Sequence, residues 1–178
     1  MNIEGNPIPK FKEMVLDLCP DQVTLVPDAV SNLTSDAGWD TIKHKDFLSD
    51  VIAEFKSKGI RTSIFVDPVL EQIQGAAATG ADRIELYTES FARAYEKGDK
   101  GEVAAYSNAA RLANELGLGL NAGHDLSLDN IEFFVASLPN LAEVSIGHAL
   151  ISESLYLGFE NVIGLYLSNI QKGMQQWK

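Results

Sequence analysis

Short β-branched or apolar runs alternate with longer amphipathic stretches along the whole chain, and this alternation constrains the fold more than any other feature. Repeated strand-then-helix units form an α/β architecture around a parallel sheet, because a parallel pair needs a crossover and the helix supplies it. Strands are expected near Asn2–Glu4, Val23–Val26, Thr62–Val66, Arg83–Tyr87, Gly119–Asn121 and Glu143–Ile146. Between them, Phe47, Val51, Ile52 and Phe55 mark one face of a helix over 41–58 that ends before Gly59. Ala105, Ala109, Leu112 and Leu116 do the same over 102–116, with Gly117 closing that helix. The segment from Pro27 to Asp40 has neither period, and loops of that length inside a domain are often functional.

Six strand-helix units fit either an open doubly wound sheet or part of an eight-unit closed barrel. The residues at and just beyond each strand's C-terminal end favour the barrel. They are Glu4, Asp28, Asp67, Glu85 with Thr88, Asn121 with His124, and Gly147 with His148. An open sheet gathers ligand contacts at one switch point, whereas a barrel collects them from many strand ends around one mouth. With 178 residues and no linker or low-complexity tract, the whole chain reads as a single domain over 1–178.

The balance of 25 acidic against 14 basic side chains gives a net charge of −11 without a basic run, which argues against nucleic acid and anionic membranes as partners. Anionic substrates would have to be held by local features such as helix N-termini. No apolar stretch approaches the roughly 20 residues that span a bilayer, and no export signal opens the sequence, so the cytoplasm is the expected compartment. The single cysteine, Cys19, ends an apolar helical pattern before Pro20 and reads as a small core residue.

Among candidate site residues, His124 follows a short apolar strand, with Gly123 permitting close approach to a shared cavity. The alternative is a capping or packing histidine. Gly147 and His148 follow the last strand and precede a helix, which suits an anion site at its N-terminus; a plain capping turn reads equally well. Glu4 and Glu85 place carboxylates among apolar strand residues. They would transfer protons or stabilise a cationic iminium if they face a mouth, and pair with a neighbour such as Arg83 if they do not. Thr34, Ser35 and Asp40 lie in the long loop, where Ser35 or Asp40 would cap the next helix. Metal-binding His and Cys spacings, a nucleotide-binding Gly-rich loop and a Gly-x-Ser-x-Gly elbow are all absent, which weakens metal, nucleotide and serine-hydrolase readings.

Taken in order, Asn-Ile-Glu at 2–4, Thr-Leu-Val-Pro-Asp at 24–28, Leu-Thr-Ser-Asp at 33–36, Ile-Glu-Leu-Tyr-Thr at 84–88, Asn-Ala-Gly-His at 121–124 and Ile-Gly-His-Ala at 146–149 resemble the pyridoxine 5′-phosphate synthase family. The resemblance covers essentially the entire chain. It implies a TIM-type (β/α)₈ barrel that condenses 1-deoxy-D-xylulose 5-phosphate with 3-amino-2-oxopropyl phosphate, releasing inorganic phosphate and water without a metal or organic cofactor. It also implies that Glu4 and His124 are acid/base groups and that Glu85 stabilises the transition state. Thr34, Asp125, Gly147 and His148 take substrate-contacting positions. Asp125 stands where some members have glycine, which puts a backbone contact there in doubt.

Against the family pattern, the sequence reads as starting at the third barrel strand. An Asp-x-His element, a further catalytic histidine and basic phosphate contacts would then be lacking, and an unclosed sheet would expose two edges. The competing expectation is therefore a catalytically incomplete relative that only binds phosphorylated ligands or assembles with a longer partner. Family members are commonly homo-oligomeric, and open edges strengthen that expectation. A Schiff-base aldolase is disfavoured because no lysine sits at a strand end.

Overall fold

Strands form where β-branched and aromatic residues sit two apart, and helices where apolar residues recur at three and four. The computed structural model describes residues 1–28 and 35–177. Its strands are β1 (Asn2–Gly5), β2 (Gln22–Leu25), β3 (Arg61–Val66), β4 (Arg83–Tyr87), β5 (Gly119–Gly123) and β6 (Leu141–Ser145). The helices are α1 (Pro9–Leu18), α2 (Lys45–Lys56), α3 (Leu70–Ala78), α4 (Glu89–Glu96), α5 (Val103–Glu115), α6 (Ile131–Ser137), α7 (His148–Leu157) and α8 (Phe159–Met174). All six strands run parallel in the order β1-β2-β3-β4-β5-β6, as successive crossovers of one hand produce.

The sheet curls into a half-barrel. Ser145 on β6 donates to Glu4 on β1 at 3.2 Å, and Gln22 on β2 donates to Glu143 on β6 at 3.1 Å, although no ladder joins the outer strands among the described residues. β1 and β6 are therefore its edges.

The two sheet faces differ chemically. Val23, Leu25, Ile64, Val66, Ile84, Leu86, Leu120 and Ala122 turn outward into the helical layer and form one buried core with Leu48, Ile52, Phe55, Phe91 and Phe134. The concave face carries Gln22, Thr24, Arg61, Ser63, Arg83, Glu85, Asn121 and Glu143. Most parallel barrels fill this space with branched aliphatics. Glu143 gathers much of this polar layer, accepting from Arg61 at 3.0 Å and Asn121 at 3.2 Å while pairing with Arg83 at 3.3 Å.

Four local expectations are corrected. The helix expected over 41–58 begins at Lys45, because Thr41 is held by Gln72 at 2.7 Å and Asp40 caps a preceding turn through the Lys43 N–H at 3.0 Å. Leu48 takes the place expected of Phe47 beside the buried Val51, Ile52 and Phe55; Phe47 is 45% exposed and leans on Trp39, while Ser35 bonds to Asp28 instead of capping this helix. Cys19 is exposed: it adopts φ 45° as the left-handed C-cap of α1, which turns its side chain outward while Pro20 enters the interior. Gly59 takes φ 77° just beyond α2, a left-handed conformation that spares glycine a Cβ clash.

α8 packs on α6 through a smaller cluster of Ile131, Val135, Val162 and Tyr166. α7 buries no residue, leaving Leu155 and Tyr156 81% and 89% exposed. No described helix is long and apolar enough to cross a membrane.

Candidate active site

The C-terminal ends of β1, β4, β5 and β6 surround a cavity of about 550 Å³ lined by Glu4, Phe65, Glu85, His124, Asp125, Ser145, Gly147 and His148, among others. Side chains two apart on a strand share a face, and the same curl brings Glu4, Glu85 and His124 together from three strands. Thr34 lies outside the described residues. No lysine or arginine lines the cavity among the described residues; Arg93 appears only in the adjoining outer recess with Tyr87 and Glu89.

Glu85 sits at the centre of β4, 2% exposed. Its carboxyl is pushed up to about 8, first by burial, which penalises the anion, and then by the nearby Glu4 charge; hydrogen bonds from Ser145 and Thr24 oppose the rise. Thr24 donates to it across β2 at 3.4 Å. Arg83, on the same face two residues away, turns instead to Asn121 at 2.8 Å and to Glu143. Neighbouring strands lie about 4.8 Å apart, closer than residues two apart along one strand, so cross-strand partners win. Glu4 is more open, accepting from Asn2 at 3.1 Å and from Ser145 at 3.2 Å.

Gly123 makes this proximity possible. A Cβ there would lie 2.3 Å from Glu85 Oε1 and 3.0 Å from the Ser145 Cβ. Gly123→Ala is therefore expected to displace the Glu85 carboxyl and to lower stability by about 1–3 kcal/mol, the usual cost of overpacking. Chemical denaturation of the two proteins checks this, and equal midpoints would refute the crowding.

Beyond Gly123 the backbone turns sharply. His124 and Asp125 take φ 79° and 56°, left-handed values that cost a non-glycine residue on the order of 1 kcal/mol each. Thr88 braces the turn: its N–H and hydroxyl bond to the Gly123 carbonyl at 3.1 and 3.0 Å, and the hydroxyl also meets the His124 carbonyl. Asn130 holds the Asp125 carbonyl at 3.3 Å. The imidazole Nδ1 lies 2.9 Å from Asp125 Oδ2, a contact that orients the ring. The Tyr87 ring meets the imidazole edge-to-face at 5.0 Å, and its hydroxyl donates to the Ser35 carbonyl at 3.2 Å.

Gly147 precedes α7 as its N-cap without a side-chain cap, and His148 is the first helical residue. The opening N–H groups of a helix have no intrahelical acceptor and carry its positive dipole end, so this corner of the cavity suits an anion. Sequence reasoning missed Phe65, Tyr87 and Ser145. Strand period offered a signal, since Tyr87 lies two residues after Glu85 and Ser145 two after Glu143.

Residues 1–172 match the family model described as pyridoxal phosphate biosynthesis protein PdxJ. The chain is 64% identical over 170 residues to pyridoxine 5′-phosphate synthase of Flavobacterium johnsoniae, covering 96% of this chain and 72% of that protein. It is 64% identical over 166 residues to the enzyme of the same name from Christiangramia forsetii, covering 93% and 70%. Among solved structures, a mandelate oxidase variant with an FMN adduct superposes with a TM-score of 0.62 at 11% identity, over 98% of this chain and 57% of that one. The last likeness concerns the fold alone.

Proposed function

The chain belongs to the PdxJ family of pyridoxal phosphate biosynthesis proteins, and from that premise we propose that its cavity joins 1-deoxy-D-xylulose 5-phosphate to 3-amino-2-oxopropyl phosphate to form pyridoxine 5′-phosphate, inorganic phosphate and water. The observation that carries this reading is the convergence of Glu4, Glu85 and His124 on one cavity from β1, β4 and β5. Amine addition to a ketone, dehydration, phosphate elimination and ring closure each move protons, so one site needs several acid/base groups. Holding amine and ketone together in a confined mouth also removes the entropic cost of a bimolecular encounter.

In this reading Glu85, with its carboxyl raised to about 8, is protonated at neutral pH and donates to leaving oxygens. Glu4 is the open carboxylate that accepts protons from carbon or nitrogen. His124, oriented by Asp125 and Tyr87, exchanges a proton with the hydroxyl that departs. Gly147 and His148 hold a substrate phosphate at the start of α7, with Thr34 and Asp125 as further substrate contacts. Proton transfer is all that this chemistry asks of the protein, so no cofactor or metal is assigned. A cytoplasmic location fits, and a second copy of the chain is the expected partner at the apolar face of α7 and α8.

The test is formation of pyridoxine 5′-phosphate from the two precursors by the purified chain, with His124→Ala as control. Turnover that the substitution removes supports the reading. A folded chain that binds either phosphorylated precursor without turnover favours the ligand-binding alternative.

A further inference from the structure

Arg83 shares a strand and a face with Glu85, yet its side chain turns the other way. Its register partner on β5 is Gly119, and the arginine stem lies across it: a Cβ there would come within 2.8 Å of Arg83 Cγ and 3.3 Å of its Cδ. The guanidinium ends 2.8 Å from Asn121 Oδ1 and 3.3 Å from Glu143 Oε1. Glu85 instead reaches over Gly123, the glycine further along β5, into the cavity. Glu143 is itself held, accepting from Arg61 at 3.0 Å, from Gln22 at 3.1 Å and from Asn121 at 3.2 Å. Side chains from β2, β3, β4 and β5 thus converge on one carboxylate of β6.

We propose that Glu143 is a positioning residue: by holding the Arg83 guanidinium below the cavity, it keeps the one strand-borne cation within reach of Glu85 from pairing with it. Residues two apart on a strand are separated by about 6.7 Å, which an arginine side chain spans. A guanidinium released from Glu143 would meet Glu85 and hold it as the anion, leaving the carboxyl no proton to give. Only the use of that proton on a substrate rests on the synthase reading.

No other charged group facing Glu85 offers it a countercharge among the described residues. Glu4 on β1 carries like charge, and β2 presents the uncharged Gln22 and Thr24. Arg61 on β3 lies two residues before Ser63, the register partner of Arg83, and so stands too far from the cavity; it is turned to Gln22 and Glu143. Tyr87 follows on β4 itself, and His124 beyond β5 is paired with Asp125.

The test is carbon-13 NMR titration of the Glu85 carboxyl in the full chain, with its resonance assigned through Glu85→Gln. Glu143→Gln keeps an amide oxygen for Gln22 and Asn121 but loses the charge that holds Arg83. It is expected to lower the Glu85 midpoint by at least about one pH unit, the usual effect of an opposite charge at close range. Adding Arg83→Met is expected to bring the midpoint back to within about half a unit of the parent's. Loss of the Glu143 charge alone would lower it equally with or without Arg83. An equal fall in the double variant therefore overturns the proposal, as does a midpoint that stays in place in Glu143→Gln. Arg83→Met alone gives a second reading that leaves Glu143 untouched, with a midpoint expected within about half a unit of the parent's. A rise of about one unit or more there would mean that Arg83 already acts on Glu85 in the parent, and the proposal would fall. Titration is read without turnover, so a failed proposal leaves the synthase reading standing, and a chain without turnover still decides this one.

Discussion

Glu85→Gln is expected to lower pyridoxine 5′-phosphate formation by about 10²–10⁴-fold, the usual contribution of a positioned acid or base, and at the same time to stabilise the chain at alkaline pH. The two effects share one cause. Burial and the Glu4 charge raise the folded carboxyl from 4.5 to about 8. Between those values the folded chain keeps a proton that the unfolded chain has released. The stability that this group contributes is therefore complete below about pH 4.5, declines as the pH rises, and is lost once the pH has passed about 8. The amide of glutamine is neutral throughout and keeps the acceptor that faces Thr24.

The difference in stability between variant and parent should thus be small near pH 4.5 and reach on the order of 3–5 kcal/mol above pH 8, an increase in melting temperature of about 10 °C. Melting curves of both proteins from pH 4.5 to 9 check it. A pH-independent difference would mean that Glu85 is ionised in the folded chain at all these values, and its assignment as the acid would fall. The stability arm does not depend on turnover.

Phe91→Ala should produce the largest loss of stability, about 3–5 kcal/mol, as expected for removing a buried aromatic ring. Phe91 is fully buried and is the one buried residue that α4 contributes. Its ring lies 4.8 Å from Phe134, 5.6 Å from Tyr95 and 6.0 Å from Tyr106. Without it, α4 keeps only the partly buried Tyr95, set against Phe133, and the Ser90–Tyr106 hydrogen bond to hold it to the core. The effect should reach the cavity, because Tyr106 donates to the Tyr87 carbonyl at 2.8 Å and Thr88, just before α4, braces the His124 turn. Chemical denaturation measures the loss. A cost below about 1 kcal/mol, the range of volume-conserving swaps, would show that the aromatic cluster repacks around the gap.

Much of this architecture was legible in the residues. All six strands fall where period and composition place them, with ends moved by one or two positions. β6 shows why: Leu141 pairs with Leu120, but a register shift between Leu120 and Asn121 moves the ladder, so β6 starts two residues earlier and ends at Ser145 instead of Ile146. A ladder irregularity arises between two strands and leaves no mark in either. Cys19 was misread because an apolar helical pattern says which face is buried, while a left-handed C-cap leaves that pattern behind.

The candidate site divides along the same line. Glu4, Glu85, His124, Gly147 and His148 stand at or just after strand ends, and a parallel sheet gathers its strand ends on one side, so their placement on one face follows from topology. Sequence proximity offered Arg83 as one alternative partner for Glu85, whereas the cross-strand Asn121 and Glu143 take it.

By itself, then, the sequence determined the α/β class, the succession of elements and the side of the sheet that carries chemistry. These are properties of neighbouring residues, set by side-chain period and local conformational preference. The tertiary structure alone decided that the sheet curls until Ser145 meets Glu4 across 141 positions, that Gly123 lets Glu85 approach them, and that Glu85 lies dry enough to hold its proton. Desolvation and charge repulsion act through space, between strands whose separation along the chain carries no record of their distance.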